Sequence, residues 1–265
     1  MARKNQNPIR EKILQDFATL GISLKPDALD AHLSRAEKER LAPTELLQAV
    51  IGEQAALRRQ RSIDRRIKEA AFAEQQSLID FDWQFNAKTI DRAQIELLAA
   101  GDFIRRRENL VFVGQSGVGK SRIIQSIGRE ACVLGYRVFY ATSATLLSKL
   151  NAALADQTLP RTVAKLARLD LLIIDEFGFD RLERTEAQQA ASLFYKVIDA
   201  RSQKRSTALI SNIDFDAWAD YLGDPPLAMA FLDRLVDGAI ILKITGKSYR
   251  AHRSQTRPTK KAAAP

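Results

Sequence analysis

The chain has 265 residues, enough to bury a core and to hold one large domain or two small ones. Its 41 lysines and arginines against 32 aspartates and glutamates give a net charge of +9 and a pI near 9.7, which points to a polyanionic partner such as nucleic acid or to a basic surface without one. The lone cysteine, Cys132, excludes an intramolecular disulfide, no apolar run nears the roughly 18 residues of a membrane span, and the basic start MARKNQNPIREK has no apolar stretch after it. No membrane segment or secretory signal is therefore expected, and the cytoplasm is the expected compartment.

Up to about residue 100 the chain lacks strand signals and reads as helices. Ile13, Leu14, Phe17 and Leu20 recur at helical spacing and stop at Gly21. Pro43 and Thr44 mark a helix start, followed by an apolar stripe of Leu46, Leu47, Val50 and Ile51. The next stretch, ALRRQRSIDRRIKEAAF, is helical and strongly basic. Ile63 and Ile67 share a face from which Arg58, Arg59, Arg61, Arg65, Arg66 and Lys68 mostly fall away, so these cations form either a solvated face or a DNA-facing one. The aromatics of FDWQF, residues 81–85, read as core. This gives a helical domain over residues 1–90.

From about residue 108 short apolar runs alternate with helical patterns. Strands are expected at 110–113, 137–141, 171–174, 208–211 and 239–244, as in a parallel sheet covered on both faces. Between the first two, Ile123, Ile124, Ile127, Ala131 and Leu134 define an amphipathic helix, with Gly135 at its C′ position and Cys132 on its apolar face. The fold class is α/β, with a domain expected over 91–250. The segment 251–265 is basic, contains no acid, and reads as a disordered tail.

The chemistry is concentrated at three strand ends. GQSGVGKS, residues 114–121, fits G-x-x-x-x-G-K-[ST] and sits between a strand and a helix, the context a phosphate loop needs. Gly114, Gln115, Ser116, Gly117, Val118 and Gly119 would turn backbone N–H groups toward phosphate oxygens, with the helix N-terminus behind them. Lys120 would reach the β- and γ-phosphates of ATP, and Ser121 would ligate Mg²⁺. LLIIDEF, residues 171–177, is a buried strand with carboxylates at its tip. Asp175 fits a second Mg²⁺ contact and Glu176 the base that polarises water, although two solvated carboxylates would look the same in isolation. ALISN ends on Asn212, which could hold the attacking water or cap the turn before Asp214. Arg234, in LDRL, could act across a subunit boundary as an arginine finger, or simply bind Asp233 or Asp237.

In this order, GQSGVGKS, LLIIDEF, ALISNIDFDAW, LDRL and GKSYR resemble the helicase-loader and transposition-helper branch of AAA+ ATPases. The resemblance is closest to the IstB type, the ATPase partners of insertion-sequence transposases. RRIKEAAFAEQQSLIDFDWQF is similar to that family's linker, and REACVLGYRVFYATSATLLSKL to its helix–strand–helix after the loop, so most of the chain is covered. The resemblance implies a P-loop AAA+ domain, ATP-dependent homo-oligomers on double-stranded DNA, DNA deformation, and delivery of target DNA to a DDE-type transposase. Residue by residue it implies nucleotide binding by Lys120 and Ser121, metal binding and catalysis by Asp175 and Glu176, a sensor at Asn212, a finger at Arg234, and a nucleotide-facing arginine at Arg250. Ile123-Ile124 and Gly128 depart from the family pattern, and a helix-interior glycine costs up to about 1 kcal/mol against alanine.

Two other functions share these motifs. A replicative helicase loader of the same branch would differ in its partner-binding N-terminal region. A P-loop small-molecule kinase would not need Glu176 directly after Asp175. Against a GTPase, no base-reading N-K-x-D segment is present. Lys149, Arg161, Lys165 and Arg168 flank helices between the second and third strands and are candidate DNA contacts, or solvated surface.

Overall fold

The computed structural model describes residues 8–74, 77–179 and 184–256. The chain forms two compact units, Met1–Asp64 and Arg65–Pro265. The units divide after Asp64, whereas the sequence pattern sets the domain boundary at residue 90. Ile67, Ala70, Phe72, Leu78, Phe81 and Trp83 all pack into the core of the second unit.

The first unit holds α1 (Pro8–Thr19), α2 (Pro26–Glu39) and most of α3 (Pro43–Ala70). Its small core joins Leu24, Leu29 and Val50 to Ile13, Leu14, Phe17 and Leu46. Leu20 and Leu47, read as part of the apolar stripes, are exposed. Arg10 binds Asp30 through both Nε and an Nη, each at 2.6 Å.

In the second unit α4 (Arg92–Ala99) and α5 (Asp102–Arg106) lead to β1 (Leu110–Val113), α6 (Lys120–Val133) and β2 (Val138–Thr142). Then come α7 (Ser143–Ala155), α8 (Leu159–Ala167), β3 (Leu171–Phe177), α9 (Arg184–Arg201) and β4 (Ser206–Ser211). A 3-10 turn (Phe215–Ala217), α10 (Trp218–Leu222), α11 (Pro225–Val236), β5 (Ile240–Lys243) and α12 (Tyr249–Thr256) complete it. The five strands are all parallel, in the order β2-β3-β4-β1-β5.

Both faces of the sheet are covered, which is why its strands are continuous apolar runs. Leu110, Phe112 and Ile173 face α6, where Ile123, Ile124 and Ile127 are buried. Val111, Val113 and Ile174 face a second layer built on Leu146, Phe194, Phe231 and Trp218. Gly135 takes φ +103 beyond α6, the C′ role expected of it, whereas Leu134 is 54% exposed. Cys132 is fully buried, and burial pushes its thiol up to about 11.

The segment expected to be a tail begins inside α12. Phe85 packs against Tyr249 and His252, with ring centres 5.0 Å apart in each pair. Residues 257–265 lie outside the described residues. Among the described residues no helix is long and apolar enough to cross a membrane.

Candidate functional site

Strand order fixes where the site lies. Because β1 sits between β4 and β5 while β2 lies beyond β3, the chain leaves β1 at a point where connections diverge, and a crevice opens at the carboxyl ends of the strands. The loop 114–119 fills it. A Cβ on Gly114 would lie 1.9 Å from the carbonyl oxygen of Ile244, so only glycine lets the chain leave β1 this close to the end of β5. Gly119 holds φ +107 as the N-cap of α6 and supplies no side chain, leaving the first-turn N–H groups without a side-chain partner.

Lys120 folds back over this loop. Its ammonium donates to the carbonyl oxygens of Gly114 (2.6 Å) and Gln115 (2.8 Å) and to the side-chain oxygen of Asn212 (3.0 Å). It is 4% exposed. Burial lowers its pKa from 10.5 to about 8; Asp175 opposes that shift and Arg250 adds to it.

At the tip of β3 the carboxylate of Asp175 is 1% exposed. Its Oδ1 accepts from the Ser121 hydroxyl (3.1 Å) and the Glu176 N–H (2.8 Å), and its Oδ2 accepts from the Tyr140 hydroxyl (2.9 Å). Burial first, and then Asp175 beside it, raise the Tyr140 phenol well above its ordinary range, so it stays a protonated donor. Ser121 and Asp175 thus present a hydroxyl and a carboxylate oxygen side by side, the hard oxygen donors that Mg²⁺ takes alongside phosphates.

Glu176 follows at a β-bulge. Ile174 pairs with Leu209 and Phe177 with Ser211, so two residues of β3 face one of β4. The bulge sets Glu176 at φ +60, uncommon for a residue with a Cβ. Its carbonyl oxygen accepts from the Ser143 hydroxyl (3.2 Å), and its side chain lines the cleft. Beyond β4, the Asn212 N–H donates to Phe177 O at 3.0 Å; its side-chain oxygen is taken by Lys120, and the residue before the following 3-10 turn is Asp214, so Asn212 faces the phosphate loop rather than capping that turn.

One cleft collects most of the expected residues: Ser116, Gly117, Val118, Gly119, Lys120, Ser121, Glu176, Asn212 and Arg250 all line it. Gly114, Gln115 and Asp175 join through Lys120 and Ser121. Sequence reasoning missed the far wall. Phe81 and Phe85, read there as core, are half-buried and line the cleft with Asn86 and Tyr249. Asn86 donates to Lys247 O (3.2 Å) and accepts from Lys247 N–H (3.2 Å), which ties this wall to the segment before α12. Tyr140 and Ser143 were missed as well, since neither belongs to a recognisable motif.

Arg234 lies elsewhere. It is in the last turn of α11, where its Nε binds Asp199 at 2.5 Å and its guanidinium stacks 4.8 Å over Tyr195. The partner is Asp199 on α9, not Asp233 or Asp237. Asn109, directly before β1, donates to the neighbouring Leu235 O at 3.0 Å. Arg234 is therefore at the amino end of β1, and the phosphate loop is at the carboxyl end. Of the basic candidates on the second layer, Arg161, Lys165 and Arg168 are exposed, and Lys149 lies 4.7 Å over the Phe139 ring.

The sequence profile of the family described as IstB-like ATP binding protein matches residues 16–257. A Pseudomonas aeruginosa protein named as an ATP-binding protein of insertion sequence IS21 is 34% identical over 241 residues, covering 89% of each chain. Its counterpart named for insertion sequence IS232 in Bacillus thuringiensis subsp. berliner is 35% identical over 194 residues, 73% of this chain and 76% of that one. Among solved structures, DnaI matches with a TM-score of 0.53 at 20% identity, over 64% of this chain and 92% of its own. AMPPCP-bound DnaA from Aquifex aeolicus matches with a TM-score of 0.52 at 17% identity, over 66% of this chain and 51% of its own. At such identities the likeness is one of fold, and the fold is the P-loop AAA+ domain expected from the sequence.

Proposed function

Since the chain belongs to the IstB-like ATP-binding protein family, we propose that it is an ATPase that assembles on duplex DNA and assists a DDE-type transposase in DNA transposition. The observation that carries this reading is the connected set Lys120–Asn212 and Ser121–Asp175 at one sheet edge, with Glu176 lining the same cleft. In it the loop N–H groups and Lys120 bind the phosphates of ATP. Ser121 and Asp175 would hold Mg²⁺, which neutralises developing phosphate charge when bound. Glu176 accepts a proton from the attacking water, and Asn212 orients that water against the γ-phosphate. Arg250, at the cleft margin of the same chain, adds positive charge toward the nucleotide.

Arg234 has a different part. At the far end of β1 from its own loop, it serves a neighbouring subunit's nucleotide, which makes the homo-oligomer the active form. The insertion-sequence names of the relatives at 34–35% identity favour a transposition helper over a helicase loader, whose support here is fold alone. The adjacent Asp175-Glu176 pair favours hydrolysis over transfer to a small molecule.

The test is ATP hydrolysis with and without duplex DNA across a salt series. Turnover should rise with DNA, and DNA affinity should fall linearly in log–log form with salt, as counterion release requires. Hydrolysis indifferent to DNA at low salt would refute the DNA part of this reading.

A further inference from the structure

We propose that the Tyr140 hydroxyl fixes the orientation of the Asp175 carboxylate for the metal of a bound nucleotide, which makes Tyr140 a positioning residue. The proposal rests on the reading of Ser121 and Asp175 given above. Tyr140 is two residues before Thr142, which pairs in register with Asp175, so both side chains rise from the α6 face of the sheet. The phenol runs along that face and meets Oδ2 at 2.9 Å. Both residues are buried, at 7% and 1% exposure, so the carboxylate relies on protein donors rather than water to satisfy its lone pairs.

The two oxygens of Asp175 have different tasks. Oδ1 faces Ser121, the other oxygen donor for a metal. The Glu176 N–H also donates to Oδ1, and among the described residues Tyr140 is the donor to Oδ2, so the carboxyl group is held at both oxygens with Oδ1 turned toward Ser121. A neutral phenol suits this role. A lysine or arginine there would orient the carboxylate equally well, but would cancel the negative charge that attracts a cation.

The ring has an aromatic neighbour of its own. Phe72 packs on Tyr140, with centroids 6.3 Å apart and planes at 45°. Phe72 in turn occupies the space over Gly128, where a Cβ would meet its ring at 2.8 Å. The missing side chain in α6 thus makes room for the aromatic that fixes Tyr140.

Equilibrium binding of a fluorescent ATP analogue to the full chain, in EDTA and across a Mg²⁺ series, tests this with Tyr140→Phe. Affinity in EDTA should stay near the parent's, while the melting temperature should fall by a few degrees, since a buried carboxylate oxygen loses its donor. The Mg²⁺ concentration that gives half the metal-dependent gain should rise about 10- to 100-fold, the range for loss of a group that orients a metal ligand. In an Asp175→Asn background the same substitution should change the Mg²⁺ response no further. An unchanged Mg²⁺ response in Tyr140→Phe, with a normal parent, overturns the Tyr140 assignment alone. So does an equal loss with and without Mg²⁺, which marks a merely structural role. A parent chain whose ATP affinity ignores Mg²⁺ overturns the reading of Ser121 and Asp175, and this proposal with it.

Discussion

Lys120 and Asn212 meet at 3.0 Å, ammonium to side-chain oxygen, so a single buried cation joins the loop after β1 to the loop after β4. Its other two partners are carbonyl oxygens of its own loop. None of the three carries a full negative charge, which is why burial dominates and the pKa falls to about 8.

Nucleotide binding should accordingly depend on pH. Phosphate charge favours the protonated lysine, so the bound protein holds Lys120 protonated to a higher pH than the free protein. Above about pH 8 binding then takes up a proton, and affinity falls as pH rises. The slope approaches about tenfold per pH unit, with little contribution from Lys120 below neutrality. Calorimetry in two buffers of different ionisation enthalpy reads the proton uptake directly. Affinity that stays flat up to about pH 9.5 would contradict the assignment. Lys120→Ala should lose nucleotide binding itself.

Gly128→Ala separates local from tertiary effects. Helix propensity alone favours alanine by up to about 1 kcal/mol. The new Cβ, however, would lie 2.8 Å from both Phe72 and Ile173. Overpacking of this kind costs about 1–3 kcal/mol, which after the full propensity gain leaves up to about 2 kcal/mol of net destabilisation, so the melting temperature should drop by a few degrees, roughly 2–4 °C per kcal/mol for a unit of this size. A thermal melt that moves upward would show that Phe72 yields at no cost.

The same position shows what the sequence could and could not reveal. β1, β3 and β4 were legible because burial on both faces demands unbroken apolar runs, and the Asp175-Glu176 step marks the carboxyl end of β3. The phosphate loop was legible because its glycines and Lys120 follow from backbone and charge requirements that are local. Gly128 reads as a flaw in α6 until Phe72, 56 positions earlier, is seen to fill the gap. FDWQF reads as core since aromatics usually are, and Phe81 and Trp83 do pack there, yet Phe81 and Phe85 also line the cleft. Arg201 is the extreme case: it is 1% exposed, bound to the Thr207 hydroxyl and to the carbonyl oxygens of Leu166, Leu169 and Ser206, and nothing in its neighbourhood in the sequence marks it as buried. Each miss depends at least in part on contacts remote in sequence, such as Arg201 with Leu166, which periodicity and motif spacing do not encode.

Arg234 invites a mixing experiment. Arg234→Ala should bind ATP nearly as well as the parent and hydrolyse it on the order of 10³ more slowly, as expected of an arginine finger. Loss of the Asp199 and Tyr195 contacts should affect stability little, since the pair is partly exposed. Combined with Lys120→Ala protein, also inactive alone, it should regain activity at interfaces that unite an intact loop with an intact arginine. Mixed oligomers that stay inactive would assign Arg234 a structural role and make Arg250, which already lines the cleft, the better candidate.

The central claim is that the cleft at the carboxyl edge hydrolyses ATP with Glu176 as the base. The most direct measurement pairs nucleotide affinity with single-turnover hydrolysis in Glu176→Gln, which keeps the size and polarity of the side chain and removes only its ability to accept a proton. Affinity for ATP should remain within a few-fold of the parent's while hydrolysis falls on the order of 10² or more, the contribution of a positioned general base. Turnover at the parent's rate in a variant that binds ATP normally would contradict the claim and remove Glu176 from the chemistry.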